Sequence, residues 1–332
     1  MTIPVLVTGG AGYIGSHAVL ALRDAGHRVA VIDNLVTGFR WAIPADVPFY
    51  QGDIADDGLL DEIIGQQGIR AIMHFAGSIV VPESVTNPLK YYRNNTVNTR
   101  ALIQGAVRNG VPHFIFSSTA ATYGMPEVVP ITEQSPTQPI NPYGWSKLMS
   151  EQMLRDVAAA HPMNVGVLRY FNVAGADPHG RSGQSTAGAT HIIKIAAEAA
   201  LGKRDGVSVF GTDYDTPDGT GVRDYIHVSD LAQAHVVALG ALEAGPTRSF
   251  TYNCGYGRGF SVLEVLDTVD RVAGVKLTRT MGPRRPGDPA TLVADNRAIV
   301  KALSWQPRYA DLATIVDHAL SWERDLDTRR TS

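Results

Sequence analysis

A phenol and an ammonium stand four residues apart in Tyr143-Gly144-Trp145-Ser146-Lys147. On a helix that spacing places both on one face, one turn apart. A tyrosine with a pKa near 10 is ionised in only about one molecule in a thousand at neutral pH, so a neighbouring cation that favours the phenolate brings the group toward the range of a working acid/base. Each unit of such a shift is worth about 1.4 kcal/mol. Upstream, Ser117-Ser118-Thr119 ends an apolar run. Its hydroxyls are expected at the carboxyl edge of a sheet, where Thr119 is placed to hydrogen-bond a substrate oxygen while Tyr143 exchanges its proton.

A second constellation is built of backbone. Thr8-Gly9-Gly10-Ala11-Gly12-Tyr13-Ile14-Gly15 directly follows the apolar run 5–8 and opens an amphipathic stretch. Gly9, Gly12 and Gly15 are spaced so that the chain can approach a pyrophosphate, whose charge then faces the amides of a helix N-terminus. Asp33 closes the next apolar run, where a carboxylate accepts from both hydroxyls of a ribose and repels a 2′-phosphate. That choice favours NAD over NADP. Asp53, in Gly52-Asp53-Ile54, suits an adenine contact and equally a plain turn.

The elements that must carry these groups read as strand and helix in alternation. Residues 5–8, 28–33, 71–75, 114–117 and 165–170 are short, continuous apolar runs, the pattern of strands buried on both faces. Helical patterns cover 15–26, 56–66, 87–109 and 142–160. Together they predict an α/β fold, a Rossmann-type doubly wound parallel sheet with right-handed crossovers. After Asn172 the pattern loosens: 174–188 and 211–221 are polar and glycine-rich and read as ligand-facing loops. Residues 222–227, a helix from Ser229 and residues 250–253 look regular again. The expected organisation is a nucleotide-binding domain over 1–174 and a smaller mixed α/β substrate domain over 175–332, with segments around 222–254 returning to the first.

The cradle, Asp33-Asn34, His74-Phe75-Ala76-Gly77, Thr119, Tyr143 with Lys147, Arg169-Tyr170-Phe171-Asn172 and Gly221-Val222-Arg223-Asp224-Tyr225-Ile226-His227-Val228 together resemble the extended short-chain dehydrogenase/reductase family, and within it the epimerases that act at C4 of UDP-hexoses. The resemblance runs from residue 5 to about residue 323. It implies a tightly held NAD contacted by Gly9, Gly12, Tyr13, Ile14, Gly15, Asp33, Asn34, Asp53, Ile54, Phe75, Ala76, Gly77, Asn94, Ser117, Tyr143, Lys147 and Tyr170. It also implies a UDP-sugar pocket made by Thr119, Tyr143, Asn172, His191, Arg223, Arg285 and Asp288, the last two within Pro283-Arg284-Arg285-Pro286-Gly287-Asp288. Paired arginines suit a diphosphate, because each offers a fork of donors to its oxygens. Three positions depart from the family's pattern. Ser78-Ile79-Val80-Val81 follows Gly77 where many members carry a lysine; His191 stands where an asparagine often meets the phosphate; Leu292 is intermediate in size at the position that gates the sugar pocket. The same resemblance implies a homodimer paired through the helices 87–109 and 142–160. A 4,6-dehydratase of the same family needs an additional acid and base beside the threonine, and here Thr119 is followed by Ala120-Ala121-Thr122. A nucleotide-sensing protein without catalysis would not need Tyr143 and Lys147, and a sugar reductase would need exchangeable NADPH, which Asp33 disfavours.

Composition narrows the remaining classes. The chain has 332 residues, a net charge of -3 from 29 basic and 32 acidic side chains, and 33 glycines. With basic and acidic groups in balance and no run of Lys/Arg, nucleic acid is not an expected partner, and an anionic ligand must be held locally. The single cysteine, Cys254, excludes a disulfide framework and a thiolate metal site and reads as an apolar filler. No window approaches a membrane span, and the N-terminus enters Ile3-Pro4-Val5 without a basic leader, which predicts a cytoplasmic protein.

Overall fold

The computed structural model describes residues 2–245, 249–285 and 287–331; Pro286, within the arginine-containing stretch named above, lies outside them. Its strands are β1 (Pro4–Thr8), β2 (Arg28–Asp33), β3 (Phe49–Gln51), β4 (Ala71–His74), β5 (His113–Thr119), β6 (Asn164–Tyr170), β7 (Asn172–Ala174), β8 (Val207–Phe210), β9 (Val222–His227), β10 (Ser249–Cys254), β11 (Gly259–Ser261), β12 (Arg279–Gly282) and β13 (Thr291–Leu292). Seven of them form one sheet in the order β10-β6-β5-β4-β1-β2-β3. Every pairing within it is parallel. The chain winds outward from β1 to β3, then crosses back to lay β4 on the other side of β1. That reversal opens a crevice at the carboxyl ends of β1 and β4, where ligands of such sheets bind.

The apolar runs follow from the two covered faces. Val5 and Val7 pack under the helices Tyr13–Asp24 and Val228–Ala244, with Val19, Leu22, Leu231 and Ala238. Leu6, between them, points the other way, into a layer with Ile63, Leu102 and Leu154 from the helices Asp57–Gln67, Asn98–Arg108 and Pro142–Ala160. A strand covered on both sides has no polar face to alternate with, so its sequence reads as continuous.

Beyond β6 a single residue, Phe171, separates the large sheet from β7 and hence from a second, mixed sheet. There β9 lies between antiparallel β11 and parallel β13, and β7 pairs with β9 in parallel; β8 and β12 form a separate parallel pair. The helices Ile192–Ala200, Val262–Ala273 and Leu312–Thr331 bury Ile193, Ala196, Leu266, Val269, Ile315 and Leu320 against these strands. Residues 222–254 divide between the two layers. β9 stays with the small sheet, whereas the helix Val228–Ala244 and β10 return to the large one.

One expected helix is broken. The stretch 87–109 is helical over Pro88–Tyr91 and Asn98–Arg108, with a π-helical segment Tyr92–Val97 between. The widened turn carries Asn94 and Asn95, whose amides bond Ser78. Such π segments cost regular hydrogen bonding and concentrate at functional sites. Here the two asparagines hold the loop that starts at Ser78.

Candidate active site

A cleft of about 760 Å³ runs along the carboxyl ends of the large sheet and reaches the small one. Its first wall is the glycine turn. Gly9 has φ +68°, and a Cβ there would stand 2.5 Å from the Ala76 amide nitrogen; at Gly15 it would stand 2.1 Å from the Gly9 carbonyl. These two glycines are required by the protein's own packing. Gly12 differs. A Cβ there meets only the Gly9 carbonyl at 3.3 Å and otherwise faces the cleft. Behind it the helix Tyr13–Asp24 begins with no side-chain cap and no acidic residue in its first turn, leaving its amide dipoles for an anion.

Asp33, at the end of β2, is nearly buried, and each carboxylate oxygen accepts one backbone N–H, from Ala11 (2.9 Å) and from Leu35 (2.8 Å). Burial raises its pKa while those two bonds oppose the rise. The oxygens keep lone pairs toward the cleft they line. Asn34, Asp53, Ile54, Phe75, Ala76, Gly77 and Asn94 line the same end. Asp53 is held by the Asn98 amide at 3.1 Å, which fixes its rotamer at the cleft rather than leaving it a free turn residue.

Tyr143 and Lys147 occupy the first turns of the helix Pro142–Ala160. The Asn141 side chain caps it by accepting from the Gly144 N–H at 2.9 Å, and Pro142 occupies its start. A Cβ at Gly144 would stand 2.6 Å from the Ala121 carbonyl, so glycine is what lets this helix press against the turn after Thr119. Tyr143 and Thr119 line the cleft, both more than nine-tenths buried. Lys147 sits just beneath its floor, 4% exposed, with Nζ 4.6 Å above the Phe116 ring. No ion pair or hydrogen bond to a described residue engages that ammonium. Burial lowers its pKa to about 8, with Glu151 acting the other way.

The electrostatics refine the expectation for Tyr143. Burial raises the phenol above its ordinary range, and a hydrogen bond with Thr119 is the opposing influence. In the protein alone burial outweighs that bond, so a phenolate requires positive charge beside it.

The structure brings most of the remaining sequence candidates to the cleft. Tyr170, Asn172, His191, Arg223, Asp288 and Leu292 all line it. Arg223 forms an ion pair with Asp288 and donates to the Val222 carbonyl at 2.8 Å. His191 is held neutral by burial and adjoins the Gln184 amide at 3.4 Å. Two candidates stand elsewhere. Ser117 is fully buried, one layer behind the wall, and its hydroxyl donates to the Tyr170 hydroxyl at 3.0 Å. Arg285 is exposed, its guanidinium 4.1 Å above the Phe210 ring, outside the cleft lining. The stretch 174–188, expected to face a ligand, lines the cleft at Gln184 and over 186–188; the lining continues through Ala189 and Thr190, which the sequence reading did not include, nor did it include the basic side chains Lys90 and Arg93. His191 precedes the helix Ile192–Ala200, which again lacks a side-chain cap and a first-turn acid, so a second helix N-terminus faces the cleft. The absence of acid around 189–195 was a readable signal; the loop's path was not.

The residues fit a dinucleotide on three counts: the opening beside Gly12, the uncapped helix start behind it, and a buried ammonium at Lys147 with no acceptor among the described residues. Asp33 leaves no provision for a 2′-phosphate.

Comparison with known proteins agrees. The model of the NAD dependent epimerase/dehydratase family matches residues 5–255. A UDP-glucose 4-epimerase of Azospirillum brasilense is 58% identical over 97% of this chain and 92% of its own length. Among solved structures, UDP-glucose 4-epimerase from Brucella ovis in complex with NAD superimposes with a TM-score of 0.93 at 44% identity, covering 96% of this chain and 98% of that one. The enzyme from Bifidobacterium longum in complex with NAD+ and UDP gives 0.93 at 39%, covering 98% and 99%. The matched span takes in the glycine turn, Asp33, Thr119, Tyr143, Lys147 and Arg223, and on that ground the chain belongs to the NAD dependent epimerase/dehydratase family.

Proposed function

We propose that this chain inverts C4 of UDP-hexoses, interconverting UDP-glucose and UDP-galactose with NAD retained through turnover. What carries the reading is the convergence of Thr119 and Tyr143, with Lys147 below them, on the cleft that also contains the glycine turn and Asp33. Tyr143 takes the proton from the sugar 4-hydroxyl and later returns one to the 4-keto oxygen, while Thr119 aligns that oxygen. When bound, NAD supplies the hydride acceptor and donor for C4 and a positively charged ring that favours the Tyr143 phenolate. Lys147 donates to cofactor hydroxyls and adds to the same field. Arg223, neutral His191 and the first-turn amides of Ile192–Ala200 face the diphosphate. That remote binding energy lets the sugar be held loosely enough to present either face. The test is a coupled assay of purified protein on UDP-glucose with no added cofactor, with NAD measured after denaturation. Turnover with co-purified NAD is expected; strict dependence on added NADPH overturns the reading.

The chain also acts as a homodimer in this reading. Leu89 (78% exposed) and Val97 (55%) lie eight residues apart on one face around the π segment, and Trp145 and Met149 one turn apart on the neighbouring helix. Exposed apolar side chains on two helices packed side by side suit a second copy. Sedimentation should give twice the chain mass, and Val97→Glu should reduce it to one. Among the described residues no helix is long and apolar enough to cross a membrane. Cytoplasmic action on soluble UDP-sugars is the accompanying proposal.

A further inference from the structure

Below Lys147 lies a charged group that the mechanism above does not use. Glu151, one turn further along the helix Pro142–Ala160, is 0% exposed. Its two oxygens receive four donors: the Ser118 hydroxyl at 2.5 Å, Arg169 Nε at 2.9 Å and Nη2 at 2.6 Å, and Arg155 Nη2 at 2.7 Å. Arg169 is itself 3% exposed and stacks 4.8 Å from the Tyr123 ring. Ser118 and Arg169 are register partners at the ends of β5 and β6. The next residues along those strands are Thr119 and Tyr170, which line the cleft. One carboxylate therefore ties the helix bearing Tyr143 and Lys147 to both strand ends that face them.

Resting on the reading of Tyr143 and Lys147 given above, we infer that Glu151 and Arg169 form a buried charged strut that positions the acid/base pair against Thr119 and balances the charge around Lys147. A buried ion pair of this kind is a weak source of net stability, since desolvating both partners offsets their attraction. Four convergent donors on one carboxylate fix geometry instead. The other groups around Lys147 and Tyr143 do not replace it. His74, on β4, bonds Thr8 and Thr99 and is held neutral by burial and by Lys147 itself. Tyr91 and Tyr170 are phenols raised by burial. Arg155 is the half-exposed outer partner of the same carboxylate.

The test is the pH dependence of kcat in strut variants. Glu151→Gln leaves Arg169 uncompensated near Lys147, so positive potential increases and both limbs of the kcat profile move to lower pH, by roughly half a unit or more. The optimum kcat falls about tenfold with KM for UDP-glucose little changed, as for lost positioning in the transition state. Arg169→Met moves the limbs to higher pH. In the double variant, with charge again balanced, the limbs return to those of the parent while kcat stays low. Limbs that stay put, or that move the same way in both single variants, overturn the inference and leave a structural role. Where a charge variant fails to fold, Ser118→Ala decides: it removes one donor and should lower kcat roughly threefold to tenfold at unchanged KM, and an unchanged kcat overturns the strut. A parent protein without epimerase activity defeats the functional reading instead.

Discussion

The two walls of the cleft are made of different material. The wall on the large sheet is backbone and regular structure: a glycine turn, an uncapped helix start, strand ends and one long helix carrying Tyr143 and Lys147. The wall toward the small sheet is loops and short strands, among them β13 with two residues, and its polar groups pair with each other, as Arg223 does with Asp288. In the function proposed above, the first wall holds a cofactor and an acid/base pair whose positions must not change between two proton transfers. In the same reading, the second holds a nucleotide by its far end and leaves the sugar free to turn. Rigidity is placed where chemistry is done, and adjustable side chains where a substrate is exchanged.

The largest expected effect tests whether chemistry belongs to the first wall alone. Tyr143→Phe should lower kcat by about a thousandfold, within the range for losing a general acid/base, while NAD content and UDP affinity stay near those of the parent. A variant as active as the parent would remove Tyr143 from the mechanism. Next, Gly12→Val should fold with a Tm close to the parent's, because its Cβ has a single protein neighbour, yet purify with NAD content reduced about tenfold or more. Full NAD content in that variant would mean that the phosphate does not pass Gly12. A third effect follows from Lys147. Its pKa lies below the usual lysine value, at about 8, because burial penalises the ammonium. The cation is present below that pH and lost above it, so kcat should fall as pH rises through about 8, approaching tenfold per unit, and a flat profile from pH 7 to 10 would deny Lys147 its part. The smallest effect belongs to the second wall. Leu292→Ser, which enlarges the sugar end, should raise activity on UDP-N-acetylglucosamine relative to UDP-glucose by a few fold, about what one side chain's bulk is worth. An unchanged ratio would place the gate elsewhere.

Legibility in the sequence divides along the same line. β1, the glycine turn and Asp33 were readable because strand, turn and helix succeed one another within about thirty residues and each has a local signature. Tyr143 and Lys147 were readable because a helix fixes the neighbourhood of residues four apart. Residue type did not reveal the depth of Ser117, which is fully buried and bonded to the Tyr170 hydroxyl behind the cleft wall. Nor does residue type reveal that the Arg285 guanidinium lies over the half-buried Phe210 ring, outside the cleft lining. The break in the helix 87–109 had no pattern to announce it, because its cause is the pairing of Asn94 and Asn95 with Ser78, on a different element.

By itself, then, the amino-acid sequence determined the alternation of buried strands and helices, the glycine turn after β1, the carboxylate that closes β2 and the placing of Tyr143 and Lys147 on one helix face, since all of these are set by periodicity and near neighbours along the chain. Only the tertiary structure decided which candidates face the cleft, that a second helix start meets it, and that Glu151 joins Ser118 and Arg169 beneath Lys147. Those outcomes depend on crossovers that bring residues 118, 151 and 169 together from two strands and a helix, and burial depth and long-range pairing leave no imprint on local spacing.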